Sequence, residues 1–365
     1  MRILAVGGGS GGHVTPVAAV IAELKKIRPD TEIRFWCDRK FEAQAKATMA
    51  HYHPDLKVET IVAGKFRRYH KLPLWQQLVH FRTIGFPNLV DFVKTIVGTV
   101  ESIYKLLRWR PDVVFTKGGF VCLPVGVAAN VLNIPLAIHE SDAHSGLTNR
   151  ILSRWAKVIA TGSPIENYKF PKAKTHYIGI PIEANLRPLT DRERTKRKEK
   201  LGFEPSKPLV VVTGGGLGAQ RINDAVMANI NGLLSLSSLL LVSGAGQYDE
   251  LKEHAKAYPT QAFQLISYVE GLTDILAAAD VVVSRAGATT LLELAALGKP
   301  TVLIPNARLT GGHQLKNAEV YEKKRAVVLL DEDRLAADAH LLVNAVDSVL
   351  TDTQQQKRLA EAIHL

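Results

Sequence analysis

Short apolar runs of strand length alternate along this chain with segments whose apolar residues recur at helical spacing. Segment 14–28 shows that spacing, with Val17, Ile21 and Leu24 on one face. The strand-length runs of the first half are 2–6, 32–36, 57–61, 113–116, 136–139 and 158–160. Strands alternating with helices predict a parallel sheet covered by helices on both faces.

The alternation stops at residue 179 and resumes at residue 209. The interval 179–208 is rich in proline and contains a basic run, which is typical of a linker with one short charged helix. Later strand-length runs are 209–213, 239–243, 263–267, 281–284, 301–304 and 327–330, and 334–365 is predicted to be helical. We expect domains at 1–178 and 209–340, a linker at 179–208, and C-terminal helices at 341–365 that cross back to the first domain.

Two of the apolar runs lead into glycine-rich turns, Gly7–Gly12 and Gly214–Gly218. Glycine has no Cβ, so backbone N–H groups can approach a ligand there, and a helix that begins at such a turn favours anions. Two such loops, about half a chain apart, predict an α/β protein of two Rossmann-like, doubly wound domains that face each other across an interdomain cleft.

Composition is that of an ordinary globular protein, with 46% hydrophobic residues and a formal net charge of +11. The charge favours an acidic partner, such as nucleic acid, an anionic membrane or a phosphorylated substrate. Cys37 and Cys122 are too far apart in sequence for a metal pair, and two cysteines do not form a disulfide framework, which favours a reducing compartment. Prolines interrupt the uncharged stretch 118–138, which predicts a helix followed by a strand rather than a membrane span.

Two of the loop segments contain candidate catalytic or ligand-binding residues. A neutral His13 imidazole could take a proton from a substrate hydroxyl, or it could cap the first helix. In segment 284–293, Thr289 and Thr290 are possible helix caps. Glu293 could accept two ribose hydroxyls or lie on a solvated helix face. Segment 311–314 is either a plain surface loop or a source of hydrogen bonds.

Two acidic segments do not match a metal signature. His139, Glu140 and Asp142 lack the spacing of a strong metal motif. Asp331 and Asp333 precede a helix and are better interpreted as a cap than as a metal–diphosphate clamp.

Residues 64–92 combine a basic rim with an apolar, tryptophan-bearing stretch. This pattern suits either an anionic membrane surface or a helix packed on the domain with its charges in water. The predicted membrane patch is Lys65, Arg67, Arg68, Lys71, Leu74, Trp75, Leu78 and Phe81.

In this order, these segments resemble the MurG family of peptidoglycan glycosyltransferases. The first loop with Pro16, segment 117–124, and the pair His139–Glu140 with 146–149 resemble its acceptor-side motifs. Segments 214–219 with Asn223, 284–293, and 313–318 resemble its donor-side motifs. The resemblance runs from residue 2 to about residue 320.

The resemblance implies a GT-B fold and an inverting hexosyltransferase. N-acetylglucosamine would pass from UDP-N-acetylglucosamine to the muramyl sugar of undecaprenyl-pyrophosphoryl-MurNAc-pentapeptide, converting lipid I to lipid II. The protein would act in cell wall biogenesis, shape and division, as a peripheral protein on the cytoplasmic side of the bacterial membrane. Its partners would be this donor, this acceptor and the anionic inner leaflet, without nucleic acid. No cofactor would be required, although a non-essential divalent cation could assist.

The resemblance also implies roles for individual residues. His13 would be the base for the acceptor hydroxyl, with Glu140 as a second catalytic residue. Val269 would contact uracil, Glu293 the ribose, and Gln314 the N-acetylglucosamine. The full donor-binding set is Ser10, Gly11, Gly12, Asp142, Glu183, Gly216, Val269, Ala288, Thr289, Thr290, Leu291, Leu292, Glu293 and Gln314.

Three positions depart from the family pattern. Asp142 replaces an asparagine, Glu183 replaces an arginine that would meet the diphosphate, and Gly216 replaces a serine. Arg187 could supply the lost cation if its segment is helical. These departures leave open a related GT-B transferase with another UDP-sugar or lipid acceptor. A nicotinamide-dependent Rossmann oxidoreductase is a more distant alternative, because the first loop lacks clean Gly-x-Gly-x-x-Gly spacing.

Overall fold

The chain forms two compact α/β units, Met1–Ala184 and Asn185–Ala307 with Gln314–Leu365. The computed structural model describes residues 1–9, 11–66, 85–215, 218–269, 271–307 and 312–364. The boundary at residue 184 lies inside the predicted linker 179–208.

The first unit is built on a seven-stranded parallel sheet with the order β3-β2-β1-β4-β5-β6-β7. Its strands are β1 Arg2–Val6, β2 Glu32–Cys37, β3 Lys57–Thr60, β4 Val113–Thr116, β5 Leu136–Glu140, β6 Val158–Thr161 and β7 Thr175–Tyr177. Its helices are α1 Gly11–Ile27, α2 Glu42–Tyr52, α3 Phe86–Trp109, α4 Cys122–Val131 and α5 Leu147–Leu152. The helix–strand interpretation of 118–138 is therefore confirmed, whereas the short, mostly exposed β7 was not predicted.

The second unit repeats this architecture on a six-stranded parallel sheet with the order β10-β9-β8-β11-β12-β13. Its strands are β8 Leu209–Thr213, β9 Ser238–Val242, β10 Phe263–Ile266, β11 Val281–Ser284, β12 Thr301–Leu303 and β13 Val328–Leu329. Its helices are α6 Asp191–Lys200, α7 Gln220–Ala228, α8 Ile230–Leu236, α9 Ala245–Ala255, α10 Leu272–Ala278, α11 Ala288–Ala296, α12 His313–Lys323, α13 Glu332–Ala337, α14 His340–Thr351 and α15 Thr353–His364.

Both sheets bury both faces, as continuous apolar strands require. Along β1, Ile3 and Ala5 join one apolar cluster while Leu4 and Val6 join another. Successive residues of a strand point to opposite faces, so each sheet separates two cores. All five residues of β8 are buried, and its four apolar residues divide in the same way.

In each unit the strand order reverses next to the first strand, between β1 and β4 and between β8 and β11. The glycine loops follow β1 and β8, so both begin at these switch points. In doubly wound sheets, ligands bind there, beyond the carboxyl ends of the strands.

The charged helix predicted in the linker is α6, which packs on α10 in the second unit. Thr190 and Glu193 form a reciprocal capping box at its N-terminus. At the other end of the chain, α15 packs on α11 and α14, also in the second unit. The expected return of 341–365 to the first domain stays a prediction.

The structure confirms one predicted helix cap and corrects another. The Asp331 carboxylate accepts hydrogen bonds from the N–H groups of Asp333 and Arg334, as expected of a cap. Gly287, not a threonine, caps α11, so the predicted capping by Thr289 and Thr290 is wrong. Among the described helices, none combines the length and apolarity needed to span a bilayer.

Candidate active site

In the first unit, four segments beyond the carboxyl ends of the strands bring polar side chains together. They are the first turn of α1 with His13, Lys117–Gly119 after β4, Glu140–Asp142 at the end of β5, and Gly179 after β7. Parallel strands end at one edge of a sheet, so residues distant in sequence share this edge.

His13 lies in the first turn of α1, against the loop that follows β4. A Cβ on Gly119 would come within 3.2 Å of the His13 ring, so glycine permits this close approach. The His13 Nδ1 atom is buried and has no hydrogen-bond partner. Burial lowers the pKa of His13 to about 4, and the positive charge of Lys117 acts in the same direction. The imidazole is therefore neutral near pH 7, as a general base requires.

Glu140 ends β5 and is buried, with 5% of its surface exposed. Its carboxylate accepts hydrogen bonds from the backbone N–H of Gly146 at 2.8 Å, from Asn149 Nδ2 at 3.1 Å and from the Asp142 N–H at 3.2 Å. Burial raises the pKa of Glu140 to about 7, with the neighbouring charge of Asp142 adding to the effect. Glu140 thus organises the turn between β5 and α5.

Asp142 lies beside this cluster, in the segment that follows β5. Its backbone carbonyl accepts a hydrogen bond from the Tyr168 hydroxyl at 2.7 Å, which ties this turn to Tyr168. Among the described residues, no group of three His, Cys, Asp or Glu side chains could hold a metal ion.

Lys117 and Ser141 were not predicted as site residues. Lys117 is 1% exposed, and its ammonium donates a hydrogen bond to Ser141 Oγ. Burial lowers the pKa of Lys117 to about 8, while the carboxylates of Glu140 and Asp142 oppose that shift. A lysine directly between β4 and two glycines was the available sequence signal, because that position lies at the switch point.

Glu183 lies in the loop after Gly179, partly buried, and Arg187 does not substitute for the missing arginine as proposed. Residues 183–188 are not helical. The Arg187 guanidinium makes two hydrogen bonds to the Glu193 carboxylate, at 2.6 and 3.1 Å. It is therefore committed to the start of α6.

In the second unit, the glycine loop after β8 is held close to β9. A Cβ on Gly218 would come within 2.4 Å of the Ser243 carbonyl oxygen, and its φ is +74°, so glycine is required. Asn223 Nδ2 donates to the same carbonyl at 2.9 Å. Asn223 Oδ1 is buried without a partner.

The segment after β11 begins α11 and places the predicted donor residues along its first turns. Ala288, Thr290 and Leu292 are partly exposed, whereas Thr289, Leu291 and Glu293 are buried. Elsewhere in the unit, Val269 is partly buried in the loop after β10. Gln314 Oε1 accepts a hydrogen bond from the Asn306 N–H at 2.8 Å.

Arg285, just before α11, is buried and forms an ion pair with Glu332 at the start of α13. The guanidinium also donates to the Ile304 carbonyl at 3.0 Å. This pair joins the ends of β11 and β12 to α13. Sequence analysis missed Glu332, since nothing local distinguishes it from a helix-start glutamate.

The remaining predicted residues fall partly inside and partly outside the described part of the chain. Gly11 and Gly12 are the first two residues of α1. The Lys65 Nζ atom lies 6.0 Å from the Phe120 ring centroid. The predicted residues that lie outside the described part of the chain are Ser10, Arg67, Arg68, Lys71, Leu74, Trp75, Leu78, Phe81 and Gly216.

Comparisons with known proteins agree with this architecture. Residues 3–161 match the Glycosyltransferase family 28 N-terminal domain, and residues 209–364 match its C-terminal domain. The chain is 34% identical over 365 residues to the Bacillus cereus UDP-N-acetylglucosamine–N-acetylmuramyl-(pentapeptide) pyrophosphoryl-undecaprenol N-acetylglucosamine transferase 1, covering 99% of this chain and 94% of the relative. The like-named Halalkalibacterium halodurans protein is 32% identical over 353 residues, covering 96% and 91%.

Solved structures resemble the fold as a whole. Acinetobacter baumannii MurG matches with a TM-score of 0.66 at 22% identity, covering 100% of this chain and 94% of that one. A Listeria monocytogenes structure described as a putative UDP-N-acetylglucosamine 2-epimerase matches with a TM-score of 0.67 at 13% identity, covering 99% and 90%. The predicted GT-B class, with two Rossmann-like domains, is confirmed. The fold alone does not separate transferases from epimerases.

Proposed function

The chain belongs to glycosyltransferase family 28, and from that membership we propose that it moves N-acetylglucosamine from UDP-N-acetylglucosamine to lipid-linked MurNAc-pentapeptide. The product would be lipid II, which feeds peptidoglycan synthesis and hence cell wall biogenesis, shape and division. Membership in a glycosyltransferase family sets aside the nicotinamide alternative.

One observation carries the proposal, the buried and neutral His13 imidazole in the first turn of α1. In an inverting transfer the acceptor hydroxyl oxygen attacks the anomeric carbon from the face opposite UDP. A bond forms between the acceptor oxygen and the anomeric carbon as the bond from that carbon to the diphosphate oxygen breaks. His13 takes the hydroxyl proton. Since the pKa of His13 is about 4, this base is unprotonated at neutral pH.

The second unit would hold the donor. Its α11 has Gly287 at the N-cap position, with no side-chain cap hydrogen bond, and the N-terminus of a helix attracts phosphate oxygens. Glu293 is buried about one turn later and would accept the ribose hydroxyls. Because Gln314 Oε1 already accepts from Asn306, Gln314 would present its Nε2 donor to the sugar. Val269 would lie against uracil.

UDP binding tests this assignment. Glu293→Gln should weaken UDP affinity measured by calorimetry by about tenfold, because it replaces a charged acceptor of two hydrogen bonds. Glu319→Gln is the matched control, since Glu319 pairs with exposed Lys323 on α12. Equal affinities in the two variants would remove Glu293 from the ribose site.

We also propose that the departing UDP is stabilised by helix N-termini and main-chain amides, without a dedicated metal. EDTA should then leave the transfer rate within about twofold of its starting value. A larger loss that Mg²⁺ restores would instead show that a divalent cation takes part.

For localisation, we propose a peripheral association with the cytoplasmic, anionic leaflet through the first unit. Helix α3 supports this proposal, because its apolar side chains form a stripe that is exposed by half or more at Phe86, Leu89, Phe92, Val93, Ile96, Val97, Val100, Tyr104 and Leu107. The opposite face of α3 packs on the segment after β3, where Gly64 and Gly98 allow close backbone contact. An amphipathic helix of this kind suits the membrane interface.

The reaction itself is tested with labelled UDP-N-acetylglucosamine and a lipid I analogue, which should give a labelled disaccharide-lipid. A carrier lipid diphosphate without the muramyl sugar is the matched control and should give none. Asp142 and Glu183 favour testing a second candidate, a transferase for another UDP-sugar. Competition with a panel of UDP-sugars would support that candidate if another donor were preferred.

A further inference from the structure

A chain of hydrogen bonds between buried and partly buried polar groups crosses the carboxyl edge of the first sheet. The Lys117 N–H donates to the Val6 carbonyl at 3.1 Å, which ties β4 to β1. The Lys117 ammonium donates to Ser141 Oγ, which ties β4 to β5. His139, 0% exposed, continues the chain from Nε2 to the Gly179 carbonyl oxygen at 2.8 Å.

Chemistry fixes the direction of the links made by the Lys117 ammonium and by the Gly179 carbonyl. An ammonium can only donate, so Ser141 Oγ accepts from Lys117 and its own proton is free for His139 Nδ1 at 3.5 Å. A carbonyl can only accept, so His139 Nε2 carries a proton. Burial lowers the pKa of His139 to about 3, helped by the charge of Lys117, so the ring is neutral and its Nδ1 accepts the Ser141 proton.

The far end of the chain holds the loop that contains Glu183. Gly179 has a φ of +78°, and its N–H donates to the Thr161 carbonyl at 3.1 Å. The Gly179 carbonyl accepts the bond from His139, so the peptide groups before and after Gly179 are both held by a hydrogen bond. The position of the loop therefore depends, through two intermediaries, on Lys117.

The other end of the chain meets His13. Gly119, two residues after Lys117, lies against the His13 ring. The charged groups that act on His13 are Lys117 and Lys65, which disfavour its protonation, and Asp142, which favours it. A buried positive charge disfavours a second one nearby.

We propose that Lys117 is a positioning residue for the transfer reaction. Its side chain holds the loop after β7 through Ser141 and His139, and its positive charge adds to burial in favouring the neutral form of His13, which accepts a proton. The second role rests on the proposed function of His13 as the base.

The charge effect is tested by NMR titration of the His13 ring in the free protein, with the signal assigned by its loss in His13→Gln. Titrated downward from neutral pH, the wild-type signal should reach its midpoint only near pH 4, well below the ordinary histidine midpoint near 6.5. In Lys117→Met the midpoint should rise by about one pH unit, a tenfold change in protonation. Identical titrations in the two proteins would overturn this role.

The anchoring effect is tested by hydrogen exchange at the amides of 178–180. Ser141→Ala keeps the Lys117 charge but breaks the chain, so exchange should quicken about tenfold while the His13 titration stays as in the wild type. Ser206→Ala, on an exposed serine of the second unit, is the matched control. Unchanged exchange in Ser141→Ala would overturn the anchoring role.

Both tests remain decisive if Lys117→Met does not fold. Lys117→Gln removes the charge and retains a donor for Ser141, so it should show the raised His13 midpoint with near-normal exchange at 178–180. Neither readout uses substrate. A failed transfer assay would therefore contradict the proposed function alone. Unchanged His13 titration and unchanged exchange at 178–180 would contradict the positioning role of Lys117 alone.

Discussion

His139 donates a hydrogen bond from Nε2 to the carbonyl oxygen of Gly179 over 2.8 Å. This single bond joins the end of β5 to the loop after β7. Because the histidine is completely buried, it must stay neutral for the arrangement to persist. The folded state therefore responds to acid.

The pH dependence of stability follows from the histidine pKa values. Burial lowers the pKa of His139 to about 3 and that of His13 to about 4, against an ordinary 6.5. Below pH 6.5 the unfolded chain binds protons that the folded state refuses, so the free energy of unfolding falls as the pH falls. The slope is at most about 1.4 kcal/mol per pH unit for each histidine.

His139→Gln should reduce that slope by about 1 kcal/mol per pH unit between pH 6 and pH 4.5. The measurement is urea denaturation at several pH values. His176→Gln is the control, because His176 is exposed on β7 and should leave the slope unchanged. Equal slopes in the wild type and His139→Gln would show that His139 does not titrate on unfolding.

Gly98 allows α3 to pack on the segment after β3. A Cβ there would lie 1.8 Å from the Val62 carbonyl oxygen, a contact that only backbone movement can relieve. Gly98→Ala should lower the free energy of unfolding by about 2 kcal/mol or more. Gly232 also lies in a helix, but a Cβ there would be 3.5 Å from the Val343 methyl groups, an ordinary van der Waals distance. Gly232→Ala should therefore be neutral or stabilising by up to about 1 kcal/mol. Similar effects of the two substitutions would contradict this packing account.

The sequence predicted most of the fold, because alternating apolar runs and glycine turns are local signals. The bounds of β1, β4, β8 and β11 agree with the prediction to the residue. The short strand β7 was not predicted, because two of its three residues are exposed and it has no apolar run. The roles of Lys117 and Glu332 also escaped, since each depends on partners brought together only by strand order.

The buried pair Arg285–Glu332 makes a prediction for the second unit. Glu332→Gln leaves the guanidinium buried without a counter-charge and should cost about 3 kcal/mol of stability. Asp333→Asn is the matched control, because the Asp333 side chain is 57% exposed where it meets Arg221 and should cost less than about 1 kcal/mol. The measurement is the free energy of unfolding of each variant. Equal losses would mean that the buried pair stabilises the fold no more than the exposed one.

The exposed stripe of α3 makes a prediction for membrane association. Replacing Val93 and Val100 together by Glu should lower partitioning to anionic vesicles at least about tenfold, because charges replace apolar side chains at the interface. Transfer to a water-soluble acceptor analogue should not change. Ile27→Glu is the control, since Ile27 is 73% exposed outside the stripe. If both proteins partition alike, α3 does not face the membrane.

The identity of the catalytic base is the central claim, and steady-state transfer by His13→Ala tests it most directly. His254→Ala, on an exposed histidine of α9, serves as the control. The account predicts that His13→Ala loses about 10²- to 10⁴-fold in kcat with little change in the KM for UDP-N-acetylglucosamine, and that the control keeps its rate. A kcat for His13→Ala within about threefold of the wild type would contradict a mechanism in which His13 takes the acceptor proton.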